Sequence, residues 1–101
     1  MKPFKLQTVL DYRKRIANTA ERELMRCLRE RGRLADAKAQ LELCIDRLRR
    51  ELREVRDRGI SVHEVLLYED CLRFKKRQLG DAAQKLMEAE ALVERQRKEL
   101  V

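Results

Sequence analysis

Three cysteines and one histidine are the residues of this 101-residue chain best suited to nucleophilic or metal chemistry. Cys27, Cys44 and Cys71 are odd in number, widely spaced and without a Cys-x-x-Cys pair, which suits reduced thiols better than a disulfide or metal framework. His63 has no partner at metal-ligand spacing, and the sequence implies no base beside any thiol. We therefore expect no enzymatic activity, no cofactor and no metal, with the cysteines serving as small hydrophobic residues.

Positive charge is the second feature with a possible chemical use. Residues 1–60 contain 17 basic and 10 acidic side chains, whereas residues 61–101 contain 8 of each, so the first part carries the whole net charge of +7. Nucleic-acid binding is the less favoured interpretation, because acidic residues interleave with the basic clusters and no aromatic stacking platform accompanies them. The clusters are Arg13, Lys14 and Arg15; Arg47, Arg49, Arg50 and Arg53; and Arg73, Lys75, Lys76 and Arg77.

Positions that are mostly apolar recur at alternating steps of four and three, and we call them seam positions; the polar exceptions are Arg13, Arg31, Lys38, Lys75 and Gln96. In the first half of the chain they are Leu6, Leu10, Arg13, Ala17, Ala20, Leu24, Cys27, Arg31, Leu34, Lys38, Leu41, Ile45, Leu48, Leu52 and Val55. In the second half they are Val65, Tyr68, Leu72, Lys75, Leu79, Ala82, Leu86, Ala89, Val93, Gln96 and Leu100. A sustained 3.5-residue repeat predicts helices that supercoil about each other.

Residues 57–64 interrupt this repeat and predict a reversal of the chain. Gly59 is suited to a left-handed helix cap, and Ser61 with Glu64 three residues later forms a capping box that starts a new helix. We therefore predict an all-α fold, a single antiparallel coiled-coil hairpin with helices over about 5–57 and 62–101 and a turn at 58–61.

The two halves match when seam residues whose numbers sum to 120 face each other. This register gives apolar layers and predicts that Leu48 lies near Leu72 and Leu34 near Leu86. Elsewhere a long charged residue meets a small one, as with Lys38 and Ala82, so that its methylenes cover the alanine while its charge reaches water.

Two sets of apolar residues have no partner in this hairpin. Because Leu100 already faces Ala20, residues 4–18 extend past the second helix and leave Leu6, Val9, Leu10 and Ile16 exposed. This predicts a missing continuation of the second helix, a partner protein or self-association. Just past the turn, Leu67, Cys71 and Phe74 form an outward stripe that suits either a widened core or a partner.

The chain opens with Phe4-x-Leu6-x-x-Val9-Leu10-x-x-Arg13, continues as a long basic helix, turns at Gly59-Ile60-Ser61 and carries Tyr68 seven residues after Ser61. Together these features resemble the flagellar FliJ family and its YscO-like type III secretion counterparts. This resemblance implies a non-catalytic coiled-coil stalk of the export apparatus. Its implied partners are the export ATPase ring, the cytoplasmic domain of the export gate and export chaperones. Members of the family are usually longer, so we expect the C-terminal part of a family-type chain to be lacking.

The resemblance also assigns contacts to the two ends of the hairpin. It implies that the ATPase contacts Phe4, Leu6, Val9, Leu10 and Arg13 at the end carrying the termini. The gate contact would fall at the turn end, on Leu67, Tyr68, Cys71, Leu72 and Phe74, although the position of Cys71 more often carries an aromatic residue in the family. The expected location is cytoplasmic, peripheral at the inner membrane through these partners. The main alternative is a coiled coil that serves only in structural oligomerisation.

Overall fold

The computed structural model describes residues 3–100, with side chains described from residue 5 onward, and it consists of two long helices. Helix α1 spans Pro3–Arg58 and helix α2 spans Val62–Leu100. The helices pack against each other as a hairpin that measures 88 × 17 × 15 Å. The long dimension agrees with the 56 residues of α1, since a helix rises about 1.5 Å per residue. The predicted all-α antiparallel hairpin is confirmed.

The reversal occupies residues 59–61 and uses the two caps that the sequence predicts. Gly59 has a φ of 90°, and its N–H donates a 3.1 Å hydrogen bond to the carbonyl oxygen of Arg56, which satisfies one of the last carbonyls of α1. The hydroxyl oxygen of Ser61 accepts a 3.2 Å hydrogen bond from the N–H of Glu64, and the Ser61 carbonyl accepts one from Val65 at 3.1 Å. Ser61 is thus the N-cap of α2.

The core lies in the seam between the helices. The buried residues of the described part all occupy predicted seam positions: Cys27, Leu34, Ile45, Leu52, Leu72, Ala89 and Val93. Near the turn, Leu48 packs on the buried cluster of Ile45, Leu52 and Leu72, which is consistent with that part of the predicted register. Burial of these side chains is the main contribution to stability, at about 1.5–3 kcal/mol for each fully buried Leu or Ile.

The same register continues along the rod. Leu34 lines a shared groove with Lys85 and Ala89 on one side of the hairpin. On the other side, Leu86 lines a groove with Gly32 and Ala35. Both sets of neighbours are consistent with the predicted pairing of Leu34 with Leu86.

Exposure changes abruptly along α1. Every seam position from Ala20 to Val55 is buried or half-buried, including the charged Arg31 and Lys38. Lys38 lines a groove with Leu79 and Ala83, where its methylenes can cover apolar surface. By contrast, the seam positions from Leu6 to Ala17 are exposed. The covered rod therefore begins at Ala20.

The surface of the rod is lined with ion pairs. Most of those in the described part join residues three or four apart on one helix, as in Arg33 with Glu30 at 2.5 Å. Arg56 and Glu69, at 3.3 Å, connect the two helices near the turn. These side chains are largely solvent-exposed, so each pair contributes little to stability, and the fold depends on the seam.

Candidate interaction surfaces at the two ends of the rod

The residues that first suggested chemistry are dispersed in the structure. Cys27 is buried in the seam, Cys44 is half-buried and Cys71 is exposed, and all three are free thiols. Within residues 3–100, no group of three or more His, Cys, Asp and Glu side chains is arranged to hold a metal ion. Nor does either described helix have the length and apolarity that a membrane span requires. Exposed apolar surfaces occur at both ends of the rod and are candidates for binding other macromolecules.

The first surface is the open-end segment, which we define as residues 5–19 of α1. Large apolar side chains are exposed along it: Leu6, Val9, Leu10, Tyr12 and Ile16. All of these except Tyr12 were predicted to be exposed from the register, and that expectation is confirmed. The side chain of Phe4 lies outside the described part of the chain. The open-end segment is an amphipathic helix whose apolar side is not covered by residues 62–100 of α2.

Basic residues accompany these apolar side chains. Arg13, at a seam position, is exposed, as are Lys5, Lys14 and Arg15. Asp11 is the single acidic residue of the segment, and it accepts a 3.1 Å hydrogen bond from the side-chain amide of Gln7. The open-end segment therefore combines an apolar face with a net charge of +3, from four basic residues and one acidic residue.

A groove begins where α2 stops covering α1. It is lined on α1 by Arg15, Ile16 and Ala20, and on α2 by Gln96 and Glu99. The apolar face of the open-end segment is thus continuous with the margin of the hairpin seam.

The second surface is the turn-end patch, which consists of Val62, Leu66, Leu67, Cys71 and Phe74. Each of these side chains is exposed, with Val62 at 76% and Phe74 at 57%. Leu67, Cys71 and Phe74 lie at i, i+4 and i+7 and therefore share one side of α2. Val62 and Leu66 lie four residues apart on a different side of the helix. The turn end therefore exposes apolar side chains on two sides of α2, which is a candidate surface for binding.

The residues that the resemblance assigned to the turn end differ in their exposure to solvent. Leu67, Cys71 and Phe74 are accessible, whereas Leu72 is only 9% exposed and belongs to the core. Tyr68 is half-buried and packs on the same cluster. Leu72 and Tyr68 therefore support the patch from beneath, and a partner would meet the other three.

Val62 and Leu66 were not among the predicted site residues. Neither occupies a seam position, and Val62 directly follows Ser61 at the start of α2. The available signal was the presence of large apolar residues outside the 3.5-residue repeat. The same signal applies to Tyr12 in the open-end segment, which is 60% exposed.

The middle of the rod is different in character. Its exposed face carries intrahelical pairs such as Glu23 with Arg26, whose hydrogen bond lowers the pKa of the Glu23 carboxyl, against a weaker effect of burial. Arg33 lowers the pKa of Glu30 through the same kind of bond. Between the two ends, the exposed large apolar side chains of the described residues are Met25, Leu43 and Met87. The apolar surface is therefore concentrated at the two ends.

Comparison with known proteins gives one clear similarity. The family model described as "Flagellar FliJ protein" matches residues 1–101, which is the whole chain. Neither the curated proteins nor the solved structures contain a significant match. The family-level similarity agrees with the earlier resemblance, which rested on the N-terminal pattern and the spacing from the turn to Tyr68.

Proposed function

The chain belongs to the FliJ family of flagellar proteins, since the family model covers all of it, and from this premise we propose that it is a stalk that links the export ATPase to the export gate. Family membership makes the chain a structural component of the flagellar export apparatus. The proposal adds the two contacts. The open-end segment binds the ATPase ring, and the turn-end patch binds the cytoplasmic domain of the gate.

The observation that carries this proposal is the position of the exposed apolar residues at opposite ends of a narrow rod. The hairpin is 88 Å long but only 17 × 15 Å in cross-section. A rod of this shape can enter the opening of a ring with one end and reach a second partner with the other. Its action is mechanical: length and stiffness connect two sites, and no chemical step is required of its side chains.

The open-end segment is suited to a ring of subunits. It is a single helix with apolar and basic side chains exposed on several sides, so neighbouring subunits can contact it together. Arg13, Leu6, Val9 and Leu10 belong to this contact, and the proposal extends it to Tyr12 and Ile16, which are exposed in the same segment.

The turn-end patch is the contact for the gate. Leu67, Cys71 and Phe74 form its accessible part, supported by Tyr68 and Leu72 from the core. Through the gate the protein is held peripherally at the inner membrane. The exposed faces between the two ends remain accessible for export chaperones.

The test measures binding to the cognate export ATPase and its rate of ATP hydrolysis, with and without this protein. The critical variant is Leu10→Gln, and its matched control is Leu43→Gln, because Leu10 and Leu43 are 49% and 52% exposed and both lie on α1. We expect the wild-type protein to bind the ATPase and raise its activity. Leu10→Gln should weaken binding about 10-fold or more, since an apolar side chain buried at an interface contributes about 1.5–3 kcal/mol.

Leu43→Gln should bind as the wild type does, because Leu43 lies in the covered rod between the two ends. Equal losses for both variants would show that the contact does not depend on the open-end segment. Absence of binding and of any change in hydrolysis with the wild-type protein would refute the stalk function.

A further inference from the structure

Two open grooves lie on one side of the middle of the hairpin. The groove nearer the turn is lined on α2 by Lys76, Gly80 and Ala83, among others, and the groove nearer the open end by Glu90 and Glu94. Residues seven positions apart share one side of a supercoiled helix, so Lys76, Ala83 and Glu90 form one column and both grooves open on the same side. We define the groove face as this column and the one beside it on α2: Glu69, Arg73, Lys76, Gly80, Ala83, Met87, Glu90, Glu94 and Arg97.

The charges of the groove face are arranged symmetrically about Ala83. Lys76 and Glu90 each lie seven residues from Ala83, before and after it, and carry opposite charges. Glu69 and Arg97 each lie fourteen residues from it and again carry opposite charges. A second copy of α2 that runs antiparallel across this face, with Ala83 on Ala83, therefore places every one of these charges opposite a charge of the other sign.

The second column has the same arrangement, with Arg73 and Glu94 at its outer positions and Gly80 and Met87 at its inner ones. The hairpin alone does not require a glycine at position 80, because Gly80 lies inside α2 and a Cβ there would meet no atom within 4 Å. Met87 is 65% exposed. In the antiparallel arrangement, Met87 of one copy lies over Gly80 of the other, where the missing side chain leaves room for it.

The two charges nearest the centre have no partner within the hairpin. Glu42 and Asp46 line the same groove as Lys76, and Arg31 lines the same groove as Glu90. Nevertheless, within residues 3–100 the side chains of Lys76 and Glu90 form neither an ion pair nor a hydrogen bond. The outer charges of the face already form exposed ion pairs within the hairpin. Association would give Lys76 and Glu90 partners at two equivalent contacts.

Helix α1 has small side chains on the same side and at the same level. Gly32 and Ala35 are exposed and line the groove nearer the open end. Because seam residues whose numbers sum to 120 are level with each other, Ala83 lies level with residue 37 of α1. Gly32, Ala35 and Ala39 are therefore close to the centre of the face, where a second α1 can approach without large side chains between the helices.

We propose that two copies of this chain associate antiparallel through their groove faces, with a two-fold axis at Ala83. Helix α2 packs on α2 of the second copy, and α1 packs on α1. Two Lys76–Glu90 pairs and two Met87–Gly80 contacts form around the axis. The contact includes neither Leu10 nor Phe74, so it does not depend on the proposed function.

The first test is sedimentation of the full chain alone, over a concentration range of about 1 μM to 1 mM that covers weak and moderate affinities. We expect a reversible equilibrium between monomer and dimer. A monomer at every concentration, or larger assemblies without a dimer, would overturn the proposal.

The second test exchanges the central charges. Lys76→Glu and Glu90→Lys should each weaken self-association by about 10-fold or more, because both symmetric contacts then join like charges. An equimolar mixture of the two variants should recover the wild-type affinity as a heterodimer, since each contact again joins opposite charges. Lys85→Glu is the matched control and should associate as the wild type does, because Lys85 is exposed and lines a groove with Glu30 on the other side of the hairpin.

Recovery in the mixture requires the antiparallel arrangement, because only that arrangement brings position 76 of one copy to position 90 of the other. A mixture that stays monomeric would therefore overturn the proposal, as would an equal loss of association for Lys85→Glu.

The third test fills the hollow at Gly80. Gly80→Gln should keep the helix content of the wild type, since the added side chain meets open space in the isolated hairpin. It should nevertheless weaken self-association by about 10-fold or more, because it occupies the room for Met87. Ala91→Gln, at an exposed position outside the groove face, is the control and should associate normally. Unchanged association of Gly80→Gln would show that the two copies do not meet on this face.

Discussion

Gly59 is the residue on which the reversal depends most directly. Its φ of 90° lies in the left-handed region, and it is the one described residue with positive φ. The other two glycines have no such role, because Gly32 and Gly80 lie within helices with open space where a Cβ would stand. Gly59 therefore stabilises the turn, whereas Gly32 and Gly80 make their helices less stable than alanine would.

Substitution of these glycines by alanine should separate the two roles. Gly59→Ala should lower the free energy of unfolding by about 1–2 kcal/mol, because an L side chain is strained in the left-handed conformation. Gly80→Ala should raise it by about 0.5–1 kcal/mol, because alanine has the better helix propensity and meets no neighbouring atom within 4 Å. Denaturant unfolding followed by far-ultraviolet circular dichroism measures both changes.

Gly32→Ala is the internal control, since it should stabilise the protein as Gly80→Ala does. If Gly59→Ala were as stable as Gly80→Ala, the left-handed cap at the turn would be incorrect.

At the scale of the element, α1 is one continuous helix with two different environments. From Ala20 to Val55 its seam positions are covered by α2, whereas the open-end segment carries the same repeat without cover. The 3.5-residue repeat alone therefore does not predict which seam residues are buried. Two apolar seam residues on the same helix differ in energetic role because one is paired and the other is not.

This difference predicts unequal costs for truncation to alanine. Ile45→Ala should lower the free energy of unfolding by about 2–4 kcal/mol, since Ile45 is 4% exposed and lies in the turn-proximal core. Leu10→Ala should change it by at most about 0.5 kcal/mol, because Leu10 is exposed and packs on no part of the core. Equilibrium unfolding of the two variants under the same conditions provides the comparison.

Leu43→Ala serves as a control for exposure in the middle of α1, and it should behave like Leu10→Ala. A large loss for Leu10→Ala would mean that the open-end segment is buried in solution, for instance by self-association, and would argue against an unoccupied binding surface.

For the whole molecule, the hairpin divides into regions of unequal local stability. Buried seam residues extend from Cys27 to Leu52 on α1 and from Leu72 to Val93 on α2. Their backbone amides are held by packing as well as by helical hydrogen bonds. The open-end segment is not covered by α2, so it can open without disturbing the core.

Hydrogen–deuterium exchange should reveal these differences in local stability along the hairpin. Amides in residues 5–19 should exchange fastest, and amides in 27–55 and 65–93 should exchange slowest, because only the latter require loss of the seam to open. On addition of the cognate export ATPase, protection should rise in residues 5–17 and remain unchanged in the middle of the rod. The measurement is exchange followed by mass spectrometry of proteolytic peptides, with and without the ATPase.

Uniform exchange along α1 would contradict the division at Ala20. Protection that rose at the turn-end patch instead of the open-end segment would reverse the proposed orientation of the stalk.

Much of this architecture follows from local sequence. The 3.5-residue repeat determined which side of each helix faces the other, and Gly59 and Ser61 determined where the chain reverses. The position of the turn then sets the register, because a hairpin with a short turn leaves no freedom to slide. The same register predicts that Leu6, Val9, Leu10 and Ile16 are exposed, since α1 extends past the described end of α2.

The tertiary structure decided what the repeat left open, namely how much of each side chain the opposite helix covers. It placed Leu72 and Tyr68 in the core beneath the turn-end patch and left Val62 and Leu66 exposed beside Leu67 and Phe74. Sequence spacing fixes only the direction in which a side chain leaves its helix. Burial depends on the atoms that the other helix brings to that place, and these are defined only after the hairpin has closed.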